Sequence, residues 1–213
     1  MARIKNGILG GFSGKVGTVV GYNLGDESHM RALPRRHAKF TENELLNMAK
    51  FKLVQDHLTP LKDFLRVGFK DYGTKMGGYR SAISYTRKIA LVSDDAGFYI
   101  DPALLKVSGG NLPQAVNPVA IFEDPMHVKF TWDITNISSE YRADQAMLLI
   151  YDVSDRAVIT YILSGNFRSS GSQTVEIPNT FKGKEVDVYI GFVAADRSKQ
   201  SDSQYLGKIS IPQ

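Results

Sequence analysis

Chemistry needs particular side chains at particular spacings, and this sequence is sparing with them. The four histidines are His29, His37, His57 and His127, and no two stand three or four residues apart. No helical turn therefore offers a pair of metal ligands, and each histidine reads as a surface or partly buried residue. The chain has no cysteine, which removes disulfides, thiolate nucleophiles and cysteine-ligated zinc or iron–sulfur centres. Residues 7–22, GILGGFSGKVGTVVGY, place Lys15 directly after Gly14, as a phosphate-cradling loop would. Such a loop reads G-x-x-x-x-G-K-[ST] between a strand and a helix. Here the first glycine position is Leu9, Lys15 precedes Val16 with no hydroxyl for magnesium, and the residues beyond are β-like. The dinucleotide fingerprint and its βαβ unit are also missing. There is no G-x-S-x-G elbow, although a Ser–His–Asp set assembled from distant positions stays open. Asp94-Asp95 and Glu123-Asp124 are paired carboxylates beside the turn residues Gly97 and Pro125. Solvated acids are ordinary there, and calcium in a β-region loop stays open as the alternative, given that hard cations need several converging oxygens. No cofactor is expected, and no catalytic or metal-binding residue is assigned.

One basic cluster stands out. MRALPRRHAKF, residues 30–40, carries Arg31, Arg35, Arg36, His37 and Lys39 next to Phe40. Arginines beside an aromatic ring hold phosphates or stack on bases, so Arg31, Arg35, Arg36 and Lys39 are the candidate anion or nucleic-acid contacts. The competing reading is a solvated loop ahead of the first helix. The net charge of +4 hides an asymmetry: residues 1–93 carry 16 Lys/Arg against 7 Asp/Glu, and residues 94–213 carry 10 against 15. A basic half beside an acidic half suits an anionic partner, or complementarity between the halves within one chain or between copies.

The elements that position these residues can be read from periodicity. With 213 residues, 43% of them apolar, the chain suits one large domain or two small ones. KVGTVVGYNLGDESHMRALPRR, residues 15–36, reads as a hairpin turning at Asn23–Asp26 and stopping at Pro34. Thr41-Glu42-Asn43-Glu44 is a capping box, and Leu45, Leu46, Met48, Ala49, Leu53 and Val54 continue from it at helical spacing. Thr59-Pro60 starts a second helix, with threonine as N-cap. Tyr79, Ala82, Ile83, Thr86, Ile89 and Ala90 form the stripe of a third, closed by residues 93–97. From about residue 98 the period becomes two. HVKFTWDI at 127–134 places Val128, Phe130, Trp132 and Ile134 on one face, and EVDVYIGFVAA at 185–195 does the same with Val186, Val188, Ile190 and Phe192. These eight are the expected interior of an antiparallel β-sandwich over roughly 104–213. The expected fold class is α+β, with residues 1–97 a glycine-rich hairpin with three helices and residues 98–213 the sandwich.

The start, MARIKNGILGGFSGK, is basic, but its apolar run is only Ile8-Leu9, too short for a secretory signal. No stretch approaches a membrane span. The expectation is a soluble, cytoplasmic protein with no membrane partner.

Two resemblances add to these expectations. MARIKNGILGGFSGKVGTVVGY, MRALP, SAISYTRKIALV and FYIDPALLKVSGGNLP resemble an uncharacterised bacterial family, a domain of unknown function, over nearly the whole chain. That resemblance brings no catalytic residues. The C-terminal half resembles a fibronectin type III or immunoglobulin-like sandwich. VKFTWD is similar to its tryptophan-bearing B strand, and VDVYIGFVAADRSKQSDSQ to its F strand, turn and G strand. Such modules serve adhesion, spacing or assembly, though a fold does not fix a function.

The leading expectation is a non-enzymatic structural or protein-interaction protein, suited to a multi-copy assembly such as a phage-derived particle. Residues 7–33 would act as an interaction arm, with Gly14, Lys15, Gly17, Gly21 and Tyr22 at its centre, pairing by strand addition with a protein partner or another copy. The competing view makes this hairpin an integral part of the N-terminal fold. The alternative function is nucleic-acid binding by the basic half.

Overall fold

The computed structural model describes residues 3–4, 10–34, 39–72, 77–95 and 97–212. The chain divides into two compact units, residues 1–45 and 46–213.

In the first unit, β1 (Arg3–Ile4), β2 (Phe12–Val16), β3 (Val19–Leu24) and β4 (Glu27–Ala32) form an antiparallel sheet in sequence order. The expected hairpin is β3 with β4, and β2 extends it. Both tight turns are two-residue loops led by glycine at positive φ, Gly17 at 56° and Gly25 at 63°, the backbone that such loops demand. Helix α1 (Glu42–Leu58) then begins at the expected capping box. Glu44 N–H donates to Thr41 Oγ1 at 3.3 Å, and Thr41 N–H donates to the Glu44 carboxylate at 2.8 Å.

The second unit is a sandwich with a helical layer. α2 spans Lys62–Gly68 and α3 spans Gly78–Lys88. Thr59 does not cap α2 as expected. Its hydroxyl donates back to the Gln55 carbonyl at 2.6 Å, because the bend at Thr59-Pro60 is tight enough to hold it on the end of α1. A hairpin, β5 (Leu91–Asp94) with β6 (Gly97–Ile100), comes directly after α3. Strands β7 (Val116–Asp124), β8 (His127–Asp133) and β11 (Ser172–Glu176) make one sheet, in the order β11-β8-β7. β9 (Gln145–Asp152), β10 (Ala157–Ile162), β12 (Glu185–Val193) and β13 (Gln204–Ser210) make the other, in the order β10-β9-β12-β13.

Seven of the eight expected interior residues lie between these sheets: Val128, Phe130, Trp132, Val186, Val188, Ile190 and Phe192 are all buried. Ile134 is not, being 49% exposed. β8 ends at Asp133, whose carboxylate takes the Thr135 N–H at 2.8 Å. That local turn breaks the alternation one residue before Ile134.

The four-stranded sheet is covered on its other face too. Met147, Leu149, Tyr151 and Tyr189 point into a second core with Val54, Leu58, Leu61, Phe64, Leu65 and Phe69 from the helical region. Tyr151 OH donates to the His57 carbonyl at 2.8 Å, and Tyr189 OH to the Pro102 carbonyl at 2.9 Å. The helices therefore share a core with the sandwich, and the boundary expected at 97/98 falls inside the β5–β6 hairpin. The connection to β7 is locked by close backbone approaches: a Cβ on Gly68 would lie 2.4 Å from the Val107 carbonyl, and one on Gly110 would lie 2.2 Å from the Gln200 carbonyl. Only glycine fits there.

Candidate functional site

The residues singled out from sequence concentrate on the N-terminal sheet, and the strand register sorts them by face. Val20 pairs with Lys15 on one side and Arg31 on the other. Paired residues share a face, and Tyr22, two positions on, joins them. Tyr22 stacks on its partner His29 with ring centroids 5.5 Å apart, and the Arg31 guanidinium lies 5.7 Å from the Tyr22 ring centre. Lys15, Tyr22, His29 and Arg31 thus form one basic, aromatic face.

The opposite face is apolar. Val16 pairs with Val19, which pairs with Ala32, while Gly14 pairs with Gly21, which pairs with Met30. Phe12 belongs to this side and folds its ring over Gly21, where a Cβ would sit 2.2 Å from the Phe12 carbonyl and 2.6 Å from its ring. Gly21 is thus already occupied within its own sheet. Gly17 is a turn residue with open space around it. Gly14, at φ 114°, completes a glycine pair in the ladder. Among residues 10–34 and 39–45 only Gly21 is buried. Val16 is 53% exposed and Met30 is 72% exposed. Lys39 is exposed beyond the sheet. Arg35, Arg36 and His37 lie outside the described residues, so the basic cluster is seen only through Arg31 and Lys39.

The remaining titratable groups are structural in their surroundings. His57 is buried in α1, with Nδ1 2.9 Å from the Leu53 carbonyl, and burial holds its pKa below the ordinary value. His127 contacts Asp124 at 2.8 Å. The Asp124 carboxylate accepts the Met126 N–H at 2.8 Å, and that bond with His127 lowers its pKa. Glu123 pairs with Lys129 at 3.0 Å. Among the described residues no three His, Cys, Asp or Glu side chains converge.

One buried charge pair was not visible in the sequence. Arg168 and Asp144 are each 5% exposed at the side chain and 3.2 Å apart. Arg168 also donates to the carbonyls of Pro113 (2.8 Å) and Gln114 (3.2 Å), and its guanidinium lies 3.8 Å from the centre of the Phe192 ring. Its own carbonyl accepts Trp132 Nε1–H at 2.7 Å. Burial lowers the Arg168 pKa and raises that of Asp144 against their mutual attraction. The arginine anchors the strand entry at 113–114 to the floor of a cleft of about 270 Å³. Nothing in FRSSGSQ sets it apart from a surface residue.

A three-stranded sheet packed on a four-stranded one, all antiparallel, makes the second unit a fibronectin type III-like sandwich. The chain belongs to a family of unknown function, DUF6266, which matches residues 11–207. Two solved structures are similar to its sandwich. One is a myokine structure with a TM-score of 0.37 and 11% identity, covering 48% of this chain and 100% of that one. The other is the central fibronectin-III array of RIM-binding protein, with a TM-score of 0.31 and 12% identity, covering 49% of this chain and 37% of that one. A comparison with curated proteins finds no match. No described helix is long and apolar enough to cross a membrane.

Proposed function

We propose that this protein is a non-enzymatic interaction and assembly module whose N-terminal sheet associates with the same sheet of another copy. One observation carries the reading. Phe12, Val16, Val19, Met30 and Ala32 share one face of a sheet that buries none of them. A sheet this small gains stability only when an apolar face is covered. The face bears no charge, so two copies meet without repulsion about a two-fold axis. β4 ends the sheet order, and its edge offers strand addition as the accompanying contact. Sedimentation of the full chain, of Met30→Asp and of the chain lacking residues 1–36 tests this. The full chain should associate, and both changes should lower its mass. A single-chain mass for the unaltered protein, or association untouched by either change, rejects the reading.

The opposite face supports a second reading, nucleic-acid binding, through Lys15 and Arg31 flanking the Tyr22–His29 stack. Bases stack on such rings while cations track the backbone. Binding of a single-stranded oligonucleotide should then fall steeply with salt and disappear in Lys15→Ala/Arg31→Ala; salt-independent or unaltered binding rejects it.

A further inference from the structure

The chain holds six methionines and no cysteine, so thioethers are the only sulfur an oxidant meets. Exposure separates those that the structure describes. Met30 is 72% exposed, Met48 is 52% exposed, Met126 is half-buried and Met147 is fully buried. The place of Met30 in the N-terminal sheet accounts for its rank. It pairs with Gly21, which pairs with Gly14, so the row across β4, β3 and β2 carries a single side chain. Along β4 its neighbours on the same face are Ser28 and Ala32. Apart from the Phe12 ring folded over Gly21, the groups directly beside it are small, and the thioether projects from a face of low relief.

We propose that Met30 is a reversible oxidation site that switches the association of the N-terminal sheet, an inference that rests on the self-association proposed above. The oxidant is a peroxide. The Met30 sulfur takes one oxygen of hydrogen peroxide: an S–O bond forms, the O–O bond breaks, and water leaves. The sulfur loses two electrons and the peroxide gains them, leaving methionine sulfoxide. Two thiols of a methionine sulfoxide reductase reverse the step, forming a disulfide while the oxygen leaves as water.

The sulfoxide is polar where the thioether is apolar. On a covered face it meets Phe12, Val16, Val19 and Ala32, whose side chains have no hydrogen to donate. The polar pair Ser28 and Asn23 stands at the turn end of the face, and Ser28 has already committed its hydroxyl hydrogen to Asn23 Oδ1 at 3.2 Å. The added oxygen therefore loses water on association without gaining a matching partner, which opposes the joining of two copies. Joined copies in turn shield the sulfur from the oxidant.

Sedimentation of the full chain before and after hydrogen peroxide, with each methionine-containing peptide weighed by mass spectrometry, tests this. Before treatment the mass reports the self-association alone. In dilute solution, where copies separate, the Met30 peptide should gain one oxygen ahead of those holding Met48, Met126 and Met147. The Kd for association should then rise at least tenfold, and methionine sulfoxide reductases should restore it. Met30→Leu keeps an apolar side chain of similar volume, so it should associate like the unaltered chain and ignore the peroxide, which removes the other methionines as the cause. Met30→Gln, polar without any oxidant, should associate as weakly as the oxidised chain. At a dilution where both forms are single chains, trypsin should cut oxidised and untreated protein at Lys15 equally fast. Association that survives complete oxidation of Met30 overturns the inference and leaves the self-association standing, whereas a single-chain mass before treatment overturns both. Oxidation of Met48 ahead of Met30 in dilute solution, or a Met30→Leu chain that peroxide dissociates, overturns the inference as well. So does faster cutting at Lys15 after oxidation, because the sheet itself would then have opened.

Discussion

At the scale of single residues, the two cores are organised by a few side chains with double duties. Trp132 packs edge-on against Phe192, with ring centroids 5.4 Å apart, while its indole N–H satisfies the Arg168 carbonyl. Trp132→Ala leaves a cavity and leaves that carbonyl only the longer bond from Gly171 N–H, at 3.4 Å, so calorimetry should show a loss of roughly 3–5 kcal/mol. A loss within the range of a surface substitution contradicts that role. His57 gives the molecule a pH dependence. Burial lowers its pKa, Arg156 lowers it further, and the Leu53 carbonyl and Asp56 partly oppose the shift. A depressed histidine pKa contributes stability that is present above its ordinary value of about 6.5 and is lost as pH falls through the folded value. The melting temperature should therefore drop as the pH falls below about 6.5, and His57→Gln should flatten that drop. Identical pH profiles in the two proteins exclude His57 as the cause. Trp132 was legible as core because every neighbour in phase with it is apolar. Arg168 was not, since its burial comes from segments 54 and 24 residues away, Gln114 and Asp144.

At the scale of elements, local chemistry set the starts and turns while packing set the ends. The Thr41–Glu44 box formed as its spacing implies, whereas Thr59 turned back onto α1 because the next helix begins so soon. The glycines of the N-terminal sheet separate into two kinds. Gly17 sits at positive φ with open space, so Gly17→Asn should be tolerated. Gly21 lies under Phe12, and even Gly21→Ala should open the sheet. Limited trypsin digestion reads this at Lys15 and Arg31: faster cutting in Gly21→Ala with an unaltered Trp132 melt is expected. Unchanged cutting denies the close packing. Phe12 therefore fills the space over Gly21, whereas the space around Gly17 is open.

At the scale of the whole molecule, the helices and the four-stranded sheet share one core. Residues 46–213 should therefore unfold in a single transition. The one tryptophan reports the sandwich interior, and ellipticity near the helical minimum reports α1–α3. Their melting curves should coincide. Two separated transitions restore the division at 97/98 as an energetic boundary.

The sequence by itself determined what depends on neighbours along the chain. The 3.6-residue and two-residue periods placed the helices and strands, glycine-led turns and the capping box punctuated them, and in-phase apolar residues named seven of eight sandwich positions. What it left undecided was which surfaces face each other. In β9 and β12 nearly every residue is buried, a continuous apolar run that marks a sheet covered on both sides. Its second cover is the helical layer, which periodicity had assigned to a different domain. The exposure of Leu45, Met48 and Met30 was equally hidden. An amphipathic pattern states that a face is apolar, and only the tertiary arrangement decides whether the same chain has anything left to cover it.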